Sequence, residues 1–417
     1  MVAAALLGLA VGPAASLQVA HAAPGNVVVD WNHTMLAAFA TANVPPPAAN
    51  RLGAIVQSAV FDAVNGIERR FTPIHVSPAA PDDASPNVAA ASAAHEALVK
   101  LFPAQAASLD AALAASLRSL GDEEDSEGVA AGVAWGKTVG DAITAWRSAD
   151  GFGAAPPPYT FSTAPGQWQP TPGGSGPPKF RTLATTTPFA LTSPAQFRPA
   201  GPPALTSARY ARDVNEVQAI GSLDSTVRTP LQTQTAVFWQ DDSPVAAWDR
   251  VADDLALQHH FNLMKSARLL ALVNISIGDA IIAVFEAKNF YNSWRPITAI
   301  VHADEDGNPA TTADPTWLPL LTNPYFQEYP SAHSGTSSAA GTVLASVFGD
   351  ETSFTVTSAG LPGATRSFVR FSDGVAQVAD ARVFAGIHFR SACDDAIVMG
   401  AQIAAYVESH MMLPADD

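Results

Sequence analysis

Cysteine is nearly missing from this 417-residue chain: Cys393 stands alone, so neither an intrachain disulfide nor a multi-thiolate metal site can form. Stability must come from packing. Basic residues are also scarce, with 22 Lys and Arg against 38 Asp and Glu, and the resulting net charge of −16 repels nucleic acid and anionic membrane surfaces. No nucleic-acid partner is expected. Beyond the N-terminus no segment reads as a charge-free run of spanning length, so no membrane span is expected either. Period-two alternation is almost absent, and Phe354–Thr357 is the only short strand candidate. Against these gaps stands a hydrophobic fraction of 48%, enough to build a large core.

The apolar, small-residue-rich segment Met1–Ala22 holds no Lys or Arg and ends Ala20-His21-Ala22, which fits a small-x-small signal-peptidase site. A soluble protein exported to the periplasm or the medium is the expectation. Residues 23–150 read as an N-terminal helical part: Leu52, Ile55, Val56, Ala59, Val60 and Ala63 recur at helical spacing, and Ala-rich stretches near 88–100, 106–117 and 128–146 keep that period. Between Gly151 and Pro203 the pattern stops, with 13 prolines and 7 glycines. Phe161, Trp168, Phe180, Phe189 and Phe197 make this stretch too apolar for a solvated linker, so 151–207 is expected to be an ordered Pro/Gly-rich loop, a lid or pocket wall. Helical patterning returns over 208–412, with helices expected at Leu263–Phe290, Ser334–Phe348, Gly374–Ala385 and Ser391–His410. The fold class is all-α, helices packed as bundles.

Three segments of this last part concentrate chemistry. Lys288 and Arg295 stand seven residues apart, nearly two helical turns, so both can project from one face, while Pro296 pushes Arg295 out of the helical region. Tyr329-Pro330-Ser331-Ala332-His333 leads into a small-residue helix. A hydroxyl, a backbone N–H of Ala332 and an imidazole at a helix N-terminus form a natural oxyanion cradle. Arg382 and His388 would diverge by about 120° on a continuous helix, so Gly386 is expected to break it and turn both toward one site. Taken singly, the first segment reads rather as a solvated helix end, the second as a serine N-cap beside an exposed histidine, and the third also fits a buried histidine satisfied by backbone with a surface arginine.

In this order, with 33 and 47 residues between them, the three segments are specific. The sequence resembles the superfamily of vanadium-dependent haloperoxidases and type 2 phosphatidic acid phosphatases, whose pattern is Lys-x6-Arg-Pro, Pro-Ser-Gly-His and Ser-Arg-x5-His-x3-Asp. Here these stand as Lys288-x6-Arg295-Pro296, Pro330-Ser331-Ala332-His333 and Ala381-Arg382-x5-His388. The catalytic resemblance covers roughly 230–410. Trp31-Asn32 and Val60-Phe61-Asp62-Ala63-Val64-Asn65 also look like secreted bacterial haloperoxidase-like members. Three positions depart: Ala332 for glycine, Ala381 for serine, and Ala392 where the acid following the histidine belongs, so Asp394 or Asp395 is expected to orient His388.

The resemblance implies a vanadate cofactor, with His388 as the metal ligand. Lys288, Arg295 and Arg382 would neutralise its oxygens, and Ser331 with the Ala332 N–H would complete the cradle. His333 would be the acid and base when hydrogen peroxide binds, and halide the group oxidised. The phosphatase branch would use the same residues on a phosphate monoester, with His388 as nucleophile. A non-catalytic vanadate or phosphate binder is a third reading, against which His333 argues. Lesser candidates are His259-His260 and Glu286 as pocket lining, Asp242 of Trp239-Gln240-Asp241-Asp242 as an arginine partner, and Phe326, whose aromatic ring resembles chloride-oxidising members.

Overall fold

The computed structural model describes residues 26–77, 80–121, 125–240 and 243–415, so Met1–Ala22, Asp241 and Asp242 lie outside the described residues. Five helices build the first part: α1 (Val27–Thr41), α2 (Pro46–Glu68), α3 (Pro86–Leu101), α4 (Ala106–Gly121) and α5 (Ser126–Ser148). Their starts are set by local chemistry. Asn26, Ser85 and Asp125 cap α1, α3 and α5 through side-chain oxygens, and prolines open α2 and α3 where a missing N–H costs nothing. Alanine and glycine let α3 and α5 approach closely: a Cβ on Gly136 would stand 2.4 Å from the Ala89 carbonyl oxygen.

The second part contributes α6 (Ala208–Ile220), α7 (Pro230–Phe238), α8 (Pro244–Gln258), α9 (Leu263–Tyr291), α10 (Pro296–Val301), α11 (Ala332–Phe348), α12 (Phe371–Phe384) and α13 (Arg390–His410). The fold is all-α, as the hydrophobic period indicated. A small antiparallel hairpin, β1 (Phe354–Thr357) with β2 (Thr365–Phe368), is the only sheet among the described residues. The β1 strand was legible from its alternating burial; β2 was not, because it lies half-buried to exposed and carries no apolar alternation.

The 29-residue α9 is the axis, packed by α2, α8, α11 and α13. By length and composition it could cross a membrane, but 94% of its most apolar window is buried inside the protein, as in a core helix. Its Asp279 reaches sideways and accepts the backbone N–H groups of Phe189 (2.6 Å), Ala190 (2.8 Å) and Leu191 (2.9 Å). These bonds pin the Pro/Gly-rich stretch to the bundle. Apart from a 3₁₀ turn at Arg181–Thr185 that stretch carries no helix, yet Trp168 is fully buried. Phe161 alone of its five expected packing aromatics is half exposed.

Gly386 ends α12 with φ +76°, and a Cβ there would meet the Gly221 carbonyl oxygen at 2.4 Å. Both the backbone conformation and the space demand glycine. Gly386→Ala is therefore expected to destabilise the protein by about 1–3 kcal/mol and to displace His388 two residues on. Denaturant titration checks the first effect; an unchanged midpoint would contradict it.

Candidate oxyanion site

Lys288 sits in the last turn of α9, wholly buried, and its Nζ donates to the carbonyls of Gln327 (2.9 Å) and Glu328 (2.7 Å). Arg295 is not on the same helix face. The α9 helix ends at Tyr291, Asn292 turns left-handed, and Arg295 is the extended N-cap of α10. The two cations meet because the chain reverses, with Pro296 starting the next helix. Arg295 is fully buried; Nε donates to the Phe326 carbonyl (2.8 Å), and Nη1 reaches the Ile387 carbonyl (2.8 Å) and the His388 Nε2 (3.1 Å). Its Nη2 is buried and has no hydrogen-bond partner.

Ser331 is the N-cap of α11 but does not cap it; its hydroxyl accepts from Ser334 Oγ at 3.0 Å. Ala332 is the first helical residue and does not adopt positive φ, so the exchange of glycine for alanine brings no strain. The first amides of α11 lack intrahelical acceptors by construction and would meet an anion with the favourable end of the dipole. His333 follows, and it shares one cavity wall with Ala332 and Arg382. Arg382 is buried on α12 and donates to the Trp239 carbonyl and Gln240 Oε1, both at 3.1 Å.

His388 follows the Gly386 break. Its Nδ1 lies 2.8 Å from Glu328 Oε1, and the same oxygen accepts the Phe389 N–H at 3.0 Å. The orienting acid is therefore Glu328 and not Asp394 or Asp395. Asp395 instead accepts from Tyr329 Oη (2.7 Å) and pairs with Arg209 (3.0 Å). Glu328 is hidden in the sequence because the family pattern places the acid downstream of the histidine, whereas here it arrives from the segment that precedes Ser331. A glutamate three residues before a cradle serine was the available signal.

Burial governs the electrostatics. Desolvation and then the neighbouring Arg295 hold the Lys288 ammonium well below its ordinary range, and Arg295 is pushed down to about 9. Burial, followed by Arg295, Lys288 and Arg382, keeps His388 far below the usual imidazole value, and so neutral. Burial lifts Glu328 to about 7 against the pull of Lys288 and Arg295. The Cys393 thiol, behind Ser331 and Ser334, is pushed up to about 12 and stays protonated. Three buried cations thus face one buried carboxylate, an excess of positive charge in a chain whose net charge is −16.

The raised Glu328 value fixes a sign. Folding binds a proton there between 4.5 and about 7, so the stability it contributes is full below 4.5 and is lost as pH rises through about 7. Glu328→Gln removes that loss. In vanadate-free buffer the melting temperature of the variant relative to the parent should climb between pH 5 and 8; a difference that falls with pH would contradict the assignment.

The other candidates lie elsewhere. His259 and His260 end α8, with His259 against Phe261 and Phe348, while Glu286 pairs with Arg198. Phe326 does belong to the site, its ring 5.3 Å from Lys288 Nζ and 5.0 Å from the Arg295 guanidinium carbon.

The protein is all-α, and buried basic side chains from α9, α10 and α12 gather with His388 near the start of α11. A family model described as the VCPO second helical-bundle domain matches residues 268–416. The vanadium chloroperoxidase of Curvularia inaequalis is 30% identical over an alignment of 168 residues that covers 32% of this chain and 27% of that protein. The match therefore spans about a quarter of the curated relative's length. Among solved structures, the first bacterial vanadium-dependent iodoperoxidase superposes with a TM-score of 0.79 at 26% identity, covering 94% of this chain and 97% of that one. An apo-type bacterial vanadium-dependent chloroperoxidase gives 0.69 at 20% identity, covering 87% and 92%, and shares the fold. Residues 268–416 thus resemble the second helical-bundle domain of vanadium chloroperoxidases, and the chain as a whole is similar in fold to bacterial vanadium-dependent haloperoxidases.

Proposed function

We propose that this protein is a vanadate-dependent haloperoxidase that oxidises halide with hydrogen peroxide. The observation that carries the reading is the neutral His388 held by Glu328 Oε1 through Nδ1, its Nε2 turned to an Arg295 whose Nη2 is buried without a partner. A tetrahedral oxyanion would satisfy that donor and the surplus positive charge, and the Nε2 lone pair is the form that ligates a metal. The residues fit vanadate. His388 would ligate it, Lys288, Arg295 and Arg382 would neutralise its oxygens, and Ser331 with the Ala332 N–H would complete the cradle.

When bound, vanadate supplies a Lewis-acid centre that polarises peroxide toward attack by halide. The chain's own residues bind, orient and move protons. Glu328 fixes the tautomer of His388; the cations hold negative charge without reorganising. His333, in the cavity wall, gives and takes the proton at the peroxide oxygen. We also propose export, on the apolar segment Met1–Ala22 and its Ala-His-Ala end.

Because phosphate is a tetrahedral oxyanion of similar charge, it should compete for the same donors. Added phosphate is expected to slow reconstitution of bromide-dependent peroxide consumption in proportion to its concentration. Vanadate uptake indifferent to phosphate would place the cofactor elsewhere. Hydrolysis of an aryl phosphate without any peroxide chemistry would favour the phosphatase reading of the same residues.

A further inference from the structure

A cavity of about 260 Å³ lies beside Glu328 and shares no lining residue with the one beside His333. Its walls are the Pro/Gly-rich stretch at 165–167 and 202–205, the helix α6, and the turn that carries the chain from α9 to α10. Backbone bonds join them: the Trp294 N–H donates to the Gly166 carbonyl (3.0 Å) and the Glu328 N–H to the Ser293 carbonyl (3.1 Å). Tyr210, Trp294 and Phe389 line it from buried positions, with the Tyr210 and Phe389 rings 6.1 Å apart. The walls are thus largely aromatic.

Among the described residues two acids line this cavity and no basic side chain does. Asp213 is engaged by Ser391 through both hydroxyl and backbone N–H. Glu328 is engaged on one side only. Its contacts with His388 Nδ1 (2.8 Å) and with the Phe389 N–H (3.0 Å) both fall on Oε1. Oε2 has no hydrogen-bond partner among the described residues, and unlike Arg295 Nη2 it is not sealed from solvent, so the free edge of a side chain only 1% exposed opens on this cavity.

An unpartnered carboxylate oxygen among aromatic rings selects a cation that brings both an N–H donor and an apolar body. A bare metal ion needs several oxygens, and one is free here. A quaternary ammonium would meet the rings and leave Oε2 without a donor. The volume lies below that of sites for drug-sized molecules, so the body must be short.

We propose that this cavity binds a small primary alkylammonium ion, its N–H donating to Glu328 Oε2 and its chain lying against Tyr210, Trp294 and Phe389. The site stands whether or not the oxyanion donors serve a peroxidase. It touches them through one residue, because the same carboxylate holds His388 by its other oxygen.

Calorimetric titration of the full chain with n-butylammonium, 1-butanol and tetramethylammonium reads the site directly, at pH 8.5, where a primary alkylammonium is still charged. Butylammonium should bind once per chain and tightest of the three, a comparison that needs no variant. Glu328→Gln keeps the shape and removes the charge, so it should weaken butylammonium by about 10–100-fold, the equivalent of one charge-assisted hydrogen bond, while butanol is little affected. Ala204→Trp, at an exposed lining position, should fill the space and weaken all three ligands. Cooperative melting of each variant shows that it has folded. In protein carrying nitrogen-labelled histidine, the His388 Nδ1 resonance should shift on saturation with butylammonium. Butylammonium binding that is undetectable or no tighter than that of butanol, tighter binding of tetramethylammonium, or undiminished binding in Glu328→Gln would each overturn the proposal. A His388 resonance that stays unmoved at saturation would place the ammonium elsewhere and overturn it as well.

Discussion

His333→Ala is expected to lower turnover by ~10²–10⁴-fold, the loss typical of a positioned proton-transfer group, while vanadate affinity is largely kept. His388→Ala should do the reverse, abolishing activity by losing the cofactor. The difference follows from placement. His388 is buried between Glu328 and Arg295, whereas His333 lies in the cavity wall on the first turn of α11, where peroxide would arrive under the proposed function. Without His333, three cations, Ser331 and the α11 amides still hold the anion.

The pH dependence sharpens the division. Neutral imidazole is the ligating form, so vanadate affinity must fall as His388 protonates. Burial and three cations keep His388 well below 6.5, so that fall belongs at pH values well under the ordinary histidine range. Vanadate titrations of the parent and both variants across pH measure this directly. Equal affinity losses in the two variants, with unchanged turnover at saturating vanadate, would refute the separate roles.

Arg295→Met is expected to weaken vanadate binding by about 10–100-fold, the equivalent of losing one or two charge-assisted hydrogen bonds. Its Nη2 is the buried donor left for the anion, and Nη1 touches His388 Nε2. Methionine keeps much of the volume and removes the charge. Since a ligand that binds only the native state stabilises it by mass action, vanadate should raise the melting temperature of the parent markedly. The variant should gain little at the same concentration. An equal thermal shift in both proteins would exclude Arg295 from the site.

Much of this was legible in the sequence because the relevant signals are local. Helical spacing gave α3, α5, α9 and α13 nearly to their ends and the middle of α2, and Gly386 announced its break because Arg382 and His388 could not otherwise share a site. The seven candidate residues were readable as three short segments. What stayed hidden depends on tertiary approach. Glu328 reaches His388 across 60 residues of chain, and Lys288 and Arg295 converge through a left-handed turn at Asn292 that spacing alone mimics as a helix face. The cavity has no sequence signature, because its walls begin at Pro45 and end at Arg382. Asp279 is likewise a mid-helix acid in the sequence, and only the structure shows it pinning Phe189–Leu191.

If the buried cations and His388 serve a vanadate-dependent peroxidase, activity must depend on added vanadate. Purified full-length protein in phosphate-free buffer would be assayed for bromide-dependent consumption of hydrogen peroxide, before and after graded addition of vanadate. Negligible activity is expected at the start, then a rise that saturates near one vanadate per chain, and no rise in His388→Ala. Peroxide consumption that is already complete without vanadate, or that never appears when vanadate is bound, would contradict it.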